Sequence, residues 1–189
     1  MNRSRLQSVL DPFLDRVPAD TEFRLVGTAS AVARGVPLPA GDVDILMRRR
    51  SDVDAIAAAL SDLPCRTAPT WLPEASQYFA AFTVDGIALE FSTVEQPADT
   101  DTLECAGPGP WEHFDLVDLG PRRIPAVSLE LRLVTELIRN RPERFKPLLT
   151  HLRRYGGEHP LLLRAMRDRR VDPALQRHVA DQLSAHATS

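Results

Sequence analysis

The sequence predicts an α/β (α+β) protein: a small sheet-and-helix core followed by a C-terminal helical cluster. Three observations carry this. Short β-rich runs alternate with helical patterns between residues 23 and 92. Asp85-Gly86 joins two of those runs as a type I′ turn signal. From Val127 onward the apolar spacing becomes helical. We divide the chain into a core, residues 1–125, and a helical region packed on it, residues 126–189.

Taken in order, Leu6, Val9, Leu10, Phe13 and Leu14 repeat at helical spacing, and Val17-Pro18 closes that first helix. FRLVG (23–27) reads as a short buried strand stopped by Gly27, and TASAVARG (28–35) as one or two helical turns. VPLPAG (36–41) is broken by two prolines and a glycine. DVDILM (42–47) is the next strand. Arg48–Arg50 then lead into a helix with Ser51 at its N-cap and Asp52 and Asp54 in the first turn, where the helix dipole favours anions. Beyond a Pro-rich loop that carries Trp71, residues 77–84 and 87–92 form the hairpin. Residues 95–110 read as a polar connector and 114–124 as a further strand or turn. The helix over 128–140 places Leu129, Leu133, Leu137 and Ile138 on one stripe, and three shorter helices follow, each with a proline near its start.

Composition narrows the class. With 43% apolar and 26% charged residues the chain is an ordinary globular protein. No apolar run approaches the roughly 18–20 residues of a membrane span, and the N-terminal segment lacks a signal-peptide core, so we expect a cytoplasmic protein without membrane association. Cys65 and Cys105 have no paired-ligand spacing, and neither have the five histidines. Charge is uneven: residues 1–120 hold 9 arginines against 19 acids, whereas residues 121–189 hold 14 cations against 7 acids. A basic wall facing an acidic half suits a polyanion such as a nucleotide or RNA, although helical surfaces are often basic without such a role.

The informative feature is GDVDIL (41–46). Strand alternation sends Asp42 and Asp44 to one face and Val43 and Ile45 to the other. Like charges about 7 Å apart along a strand repel unless a cation sits beside them. In IALEFS (87–92), Ile87, Leu89 and Phe91 share a face, so Glu90 faces the opposite way. If the two strands are neighbours, three hard oxygen ligands line one edge, a set suited to Mg²⁺ and to two-metal phosphoryl transfer. The competing reading is an exposed edge strand whose acids guard against edge pairing. Gly27, Thr28 and Ser30, at a strand-to-helix turn, form a plausible cradle for phosphate oxygens.

LVGTAS, then GDVDILM, then ALEFS: this order resembles the DNA polymerase β-type nucleotidyltransferase superfamily. The similarity is to its small bacterial members, the aminoglycoside and lincosamide nucleotidyltransferases and the toxin-type nucleotidyltransferases. It covers residues 23–92 well and 122–145 loosely. The resemblance implies a short mixed β-sheet flanked by helices, with Mg²⁺ as cofactor and a nucleoside triphosphate such as ATP as co-substrate. Gly27 and Thr28 would position the triphosphate, with Ser30 in the same cradle. Asp42 and Asp44 would hold both metal ions, and Glu90 would complete the second site or act as base toward the acceptor. Arg132 and Arg139 stand where many relatives place a lysine that reaches the nucleotide. The implied reaction moves a nucleoside monophosphate onto a hydroxyl of a small molecule or tRNA and releases pyrophosphate. An antitoxin or a second copy of the chain is a possible partner. The alternative is a catalytically inactive member of the fold that binds a nucleotide or a partner.

Overall fold

The structure is a computed structural model, and it describes residues 1–184. Ala185 and His186, the first placed at the end of the last helix and the second among the five histidines, lie outside the described residues. The elements run α1 (Arg3–Leu14), β1 (Phe23–Val26), α2 (Gly27–Ala33), β2 (Asp42–Met47), α3 (Arg50–Ala59), β3 (Cys65–Leu72), β4 (Gln77–Val84) and β5 (Ile87–Val94). Then come α4 (Gly109–Glu112), β6 (Phe114–Leu119), β7 (Arg122–Val127), α5 (Leu129–Ile138), α6 (Pro142–Tyr155), α7 (His159–Asp168) and α8 (Pro173–Ser184).

All seven strands form one mixed sheet in the order β3-β4-β5-β2-β1-β7-β6. β2 runs parallel to β5 and antiparallel to β1, and β1 runs parallel to β7. The acidic strand β2 is therefore central, which removes the edge-strand reading of Asp42 and Asp44. One face of the sheet is sealed by α1 and α3. Val43, Ile45, Leu89 and Phe91 are buried there, and the ring of Phe13 on α1 meets that of Phe91 at 5.2 Å between centroids. Apolar burial of this kind is the main stabilising term for the sheet. α5 packs on α2, α6 and α7 pack on α5, and α8 packs on α6 and α7, so the C-terminal helices close over the remainder of the core.

Four details differ from the sequence expectation. Residues 65–72 are a strand despite Pro69, because β3 is a sheet edge whose pairing with β4 shifts register twice, and an edge tolerates a missing N–H. Residues 114–127 make a full hairpin, β6 and β7. α3 starts two residues earlier than expected, with Arg49 at its N-cap, and Asp52 accepts from Arg49 Nε at 3.0 Å. Ile138 is exposed, unlike Leu129, Leu133 and Leu137, because at about 3.6 residues per turn it points roughly 100° away from Leu137 around α5.

Candidate active site

Parallel pairing of β2 with β5 puts Asp44 directly opposite Glu90 and Asp42 opposite Ala88. Residues paired in register share a face, so Asp42, Asp44 and Glu90 lie on the same side of the sheet. The sequence expectation that these strands are neighbours is met. Burial pushes Asp44 up to about 7, with the carboxylates of Asp42, Glu90 and Glu104 adding to the rise. Burial raises Glu90 as well, Asp42 adds to the effect, and Arg66 opposes it. Among the described residues, however, the oxygens of Asp42, Asp44 and Glu90 do not all approach within 4.8 Å of one another; Asp101, Glu112 and His113 do. Neighbouring strands about 4.8 Å apart set the Asp44 and Glu90 carboxylates side by side, with Asp42 two residues along β2.

The donor set fits a hard divalent cation such as Mg²⁺. It consists of carboxylate oxygens only, on rigid central strands, where burial and then the charge of Asp42 raise the proton affinity of Asp44 and Glu90. The second cluster is already satisfied. Arg164 Nη2 lies 2.6 Å from Asp101 Oδ2 and 3.3 Å from His113 Nε2, so a guanidinium supplies the positive charge there and ties α7 to the 95–108 connector.

The Asp44 shift gives a pH prediction whose sign is fixed. A carboxyl with a raised folded pKa binds more protons in the native state than in the unfolded state, so stability falls as pH rises between the two values. The metal-free protein is expected to lose stability from about pH 4 to about pH 7 through this group, and Asp44→Asn to flatten that slope. Urea denaturation at a series of pH values, with chelator present, checks it; an unchanged slope in the variant would remove the argument.

Gly27 joins β1 to α2 with φ +64°, and a Cβ there would run into Asp44 Oδ2. Only glycine admits both the left-handed backbone and this approach. Its N–H donates to Glu104 Oε1 at 3.0 Å. The Thr28 hydroxyl accepts from Arg132 Nη2 at 3.3 Å and from Arg144 Nη1 at 3.2 Å. Ser30 is fully buried, and its hydroxyl donates to the Gly27 carbonyl at 2.8 Å, so it serves the turn itself. Gly27, Thr28, Asp42 and Asp44 line one cavity of about 380 Å³ together with Arg132, Arg139, Arg141 and Arg144. Glu90 and Ser30 are not among its lining residues.

Four residues at this site escaped the sequence reading. Glu104 sits in an irregular connector with no periodicity to mark it, yet it is buried and meets Arg132 Nη1 at 3.1 Å. Glu136 is fully buried on α5 and pairs with Arg132 one turn earlier. An Arg and a Glu four apart inside an apolar helical run are a readable signal. Arg141 and Arg144 follow at the start of α6 and face Glu136 at 4.0 and 3.8 Å. Burial alone would lower the Arg132 pKa; the carboxylates of Glu104 and Glu136 outweigh it and raise it.

No helix among the described residues is long and apolar enough to cross a membrane. No family model matches the sequence, and no curated protein matches it. Solved structures do. The crystal structure of a provisionally assigned nucleotidyltransferase from Thermotoga maritima aligns at a TM-score of 0.57 and 21% identity, covering 82% of this chain and 96% of its own. The solution structure of the antibiotic-resistance factor ANT(2'')-Ia aligns at 0.52 and 13% identity, covering 94% of this chain and 97% of that one. At these identities the likeness concerns the fold, and it extends over nearly the whole of both structures. Together with the seven-stranded mixed sheet and its flanking helices, it shows that the chain has a nucleotidyltransferase-like fold.

Proposed function

We propose that the protein is a Mg²⁺-dependent nucleotidyltransferase that moves a nucleoside monophosphate from a nucleoside triphosphate to an acceptor hydroxyl and releases pyrophosphate. One observation carries this reading: a single cavity sets Asp42 and Asp44 against four arginines. Such a cavity suits a polyanion that arrives with a divalent cation. In this reading Arg139, Arg141 and Arg144 bind and orient the triphosphate and offset charge that builds on the leaving pyrophosphate. Asp42, Asp44 and Glu90 hold the cation. Mg²⁺, when bound, neutralises phosphate charge and polarises the phosphorus centre. Glu90, half-buried with a raised proton affinity, is placed to take the proton from the acceptor hydroxyl at a carboxylate oxygen. Gly27 keeps the backbone close to Asp44, and Thr28 steadies the arginine wall. The acceptor is a small molecule or tRNA, and an antitoxin or a second copy of the chain is a candidate partner.

A second reading, nucleotide binding without transfer, draws on a specific observation. The Gly27 N–H and the Thr28 hydroxyl are already engaged by Glu104 and by the arginines. One experiment separates the two. The protein is titrated with each fluorescent nucleoside triphosphate, with and without Mg²⁺, and then incubated with labelled triphosphate and either total tRNA or a panel of aminoglycosides and lincosamides. The enzyme reading expects Mg²⁺-dependent binding, with micromolar to millimolar half-saturation, and label transfer to one acceptor. Binding without transfer would favour the second reading, and no binding would end both.

A further inference from the structure

Glu136 is fully buried, yet three guanidiniums surround it. Arg132 pairs with its Oε1, Arg144 Nη1 stands 3.8 Å from the same oxygen, and Arg141 Nη1 stands 4.0 Å from Oε2, which has no hydrogen-bond partner. Arg132 is spent on internal contacts: it also donates to Glu104 and to Thr28, and it is 4% exposed. Arg141 and Arg144 are 42% and 28% exposed and line the cavity. The charge arrangement is thus layered, from a buried anion outward to two accessible cations.

We infer that Glu136 is a positioning residue: a buried carboxylate, anchored by Arg132, that holds Arg141 and Arg144 as a preformed pair for a triphosphate. The inference rests on the nucleotidyltransferase reading and deepens it. Guanidiniums this close repel one another, and each long side chain must otherwise be ordered when the ligand arrives. A central anion removes the repulsion beforehand, and the Thr28 hydroxyl, shared by Arg132 and Arg144, fixes their spacing. The carboxylate touches no ligand; it acts through the arginines.

Calorimetry on the full-length protein with Mg²⁺-ATP and with inorganic tripolyphosphate tests this through a sign. Glu136→Gln deletes one negative charge beside the cavity, so Coulomb attraction alone makes both anions bind as tightly or more tightly. Loss of positioning instead weakens both by about tenfold or more, the expected result, given what ordering long side chains costs. Unchanged or tighter binding by a folded Glu136→Gln overturns the inference and leaves the nucleotidyltransferase reading standing. Should that variant fail to fold, Thr28→Val supplies the test. It removes the shared acceptor without changing any charge, is expected to weaken tripolyphosphate binding several-fold, and overturns the inference if it does not. Wild type that binds neither anion ends both the inference and the reading beneath it.

Discussion

Replacing Asp42 and Asp44 together by asparagine is expected to reduce nucleotidyl transfer by about 10³-fold or more while the fold persists. The substitution keeps shape and removes only charge. It also removes a buried charge and the repulsion around it, which together raise Asp44, so the metal-free variant should melt at or above the wild-type temperature. Transfer of label from each nucleoside triphosphate, followed beside a melting curve, gives both numbers. A variant that keeps more than a tenth of wild-type transfer would show that the pair does not carry the reaction. Loss of activity together with loss of fold would not count as support, which is why the melting curve belongs in the same experiment.

Gly27→Ala should do comparable damage by a different route. The position has φ +64°, where a side chain costs about 1–2 kcal/mol, and the added methyl meets Asp44 Oδ2. Stability is expected to fall by about 1–3 kcal/mol. Asp44 must also move, and a displacement near 1 Å at a reacting centre can cost about 10²-fold in rate. Gly41→Ala is the matched control. Gly41 lines the same cavity, but a Cβ there meets no atom within 4 Å, so little change is expected. Equal effects from the two substitutions would mean that close packing at Gly27 is not what matters.

Much of this site could be read from the sequence, for a physical reason. Period-2 alternation in DVDIL and ALEFS states which acids share a face, and Asp85-Gly86 fixes the register of β5 within its hairpin. What alternation cannot state is which strands become neighbours; the β2–β5 pairing enters the sequence reading only as a condition, and the topology meets it. β3 was missed because Pro64, Pro69 and Pro73 read as a loop, and sequence alone does not show that a run will lie at a tolerant edge. Glu104 was missed for a deeper reason. Its position depends on a connector without periodicity, and its partners, Gly27 and Arg132, lie 77 and 28 residues away. Glu130 and Glu136 were absorbed into an amphipathic helix, although both are buried. Charges on the inner stripe of a helix mark a network rather than a solvated face.

The span of these contacts has a consequence for how the molecule comes into being. Thr28 meets Arg132 and Arg144 across 104 and 116 residues of chain. Contacts so distant in sequence form late in folding, after the local hairpins and helices. During synthesis, the carboxylates leave the ribosome long before the arginines that face them. A nascent chain that has not yet reached residue 144 therefore carries the acidic sheet without the guanidinium that shares the Thr28 hydroxyl with Arg132. On the nucleotidyltransferase reading, competence is gained only once α5 and α6 have been made and packed on the core.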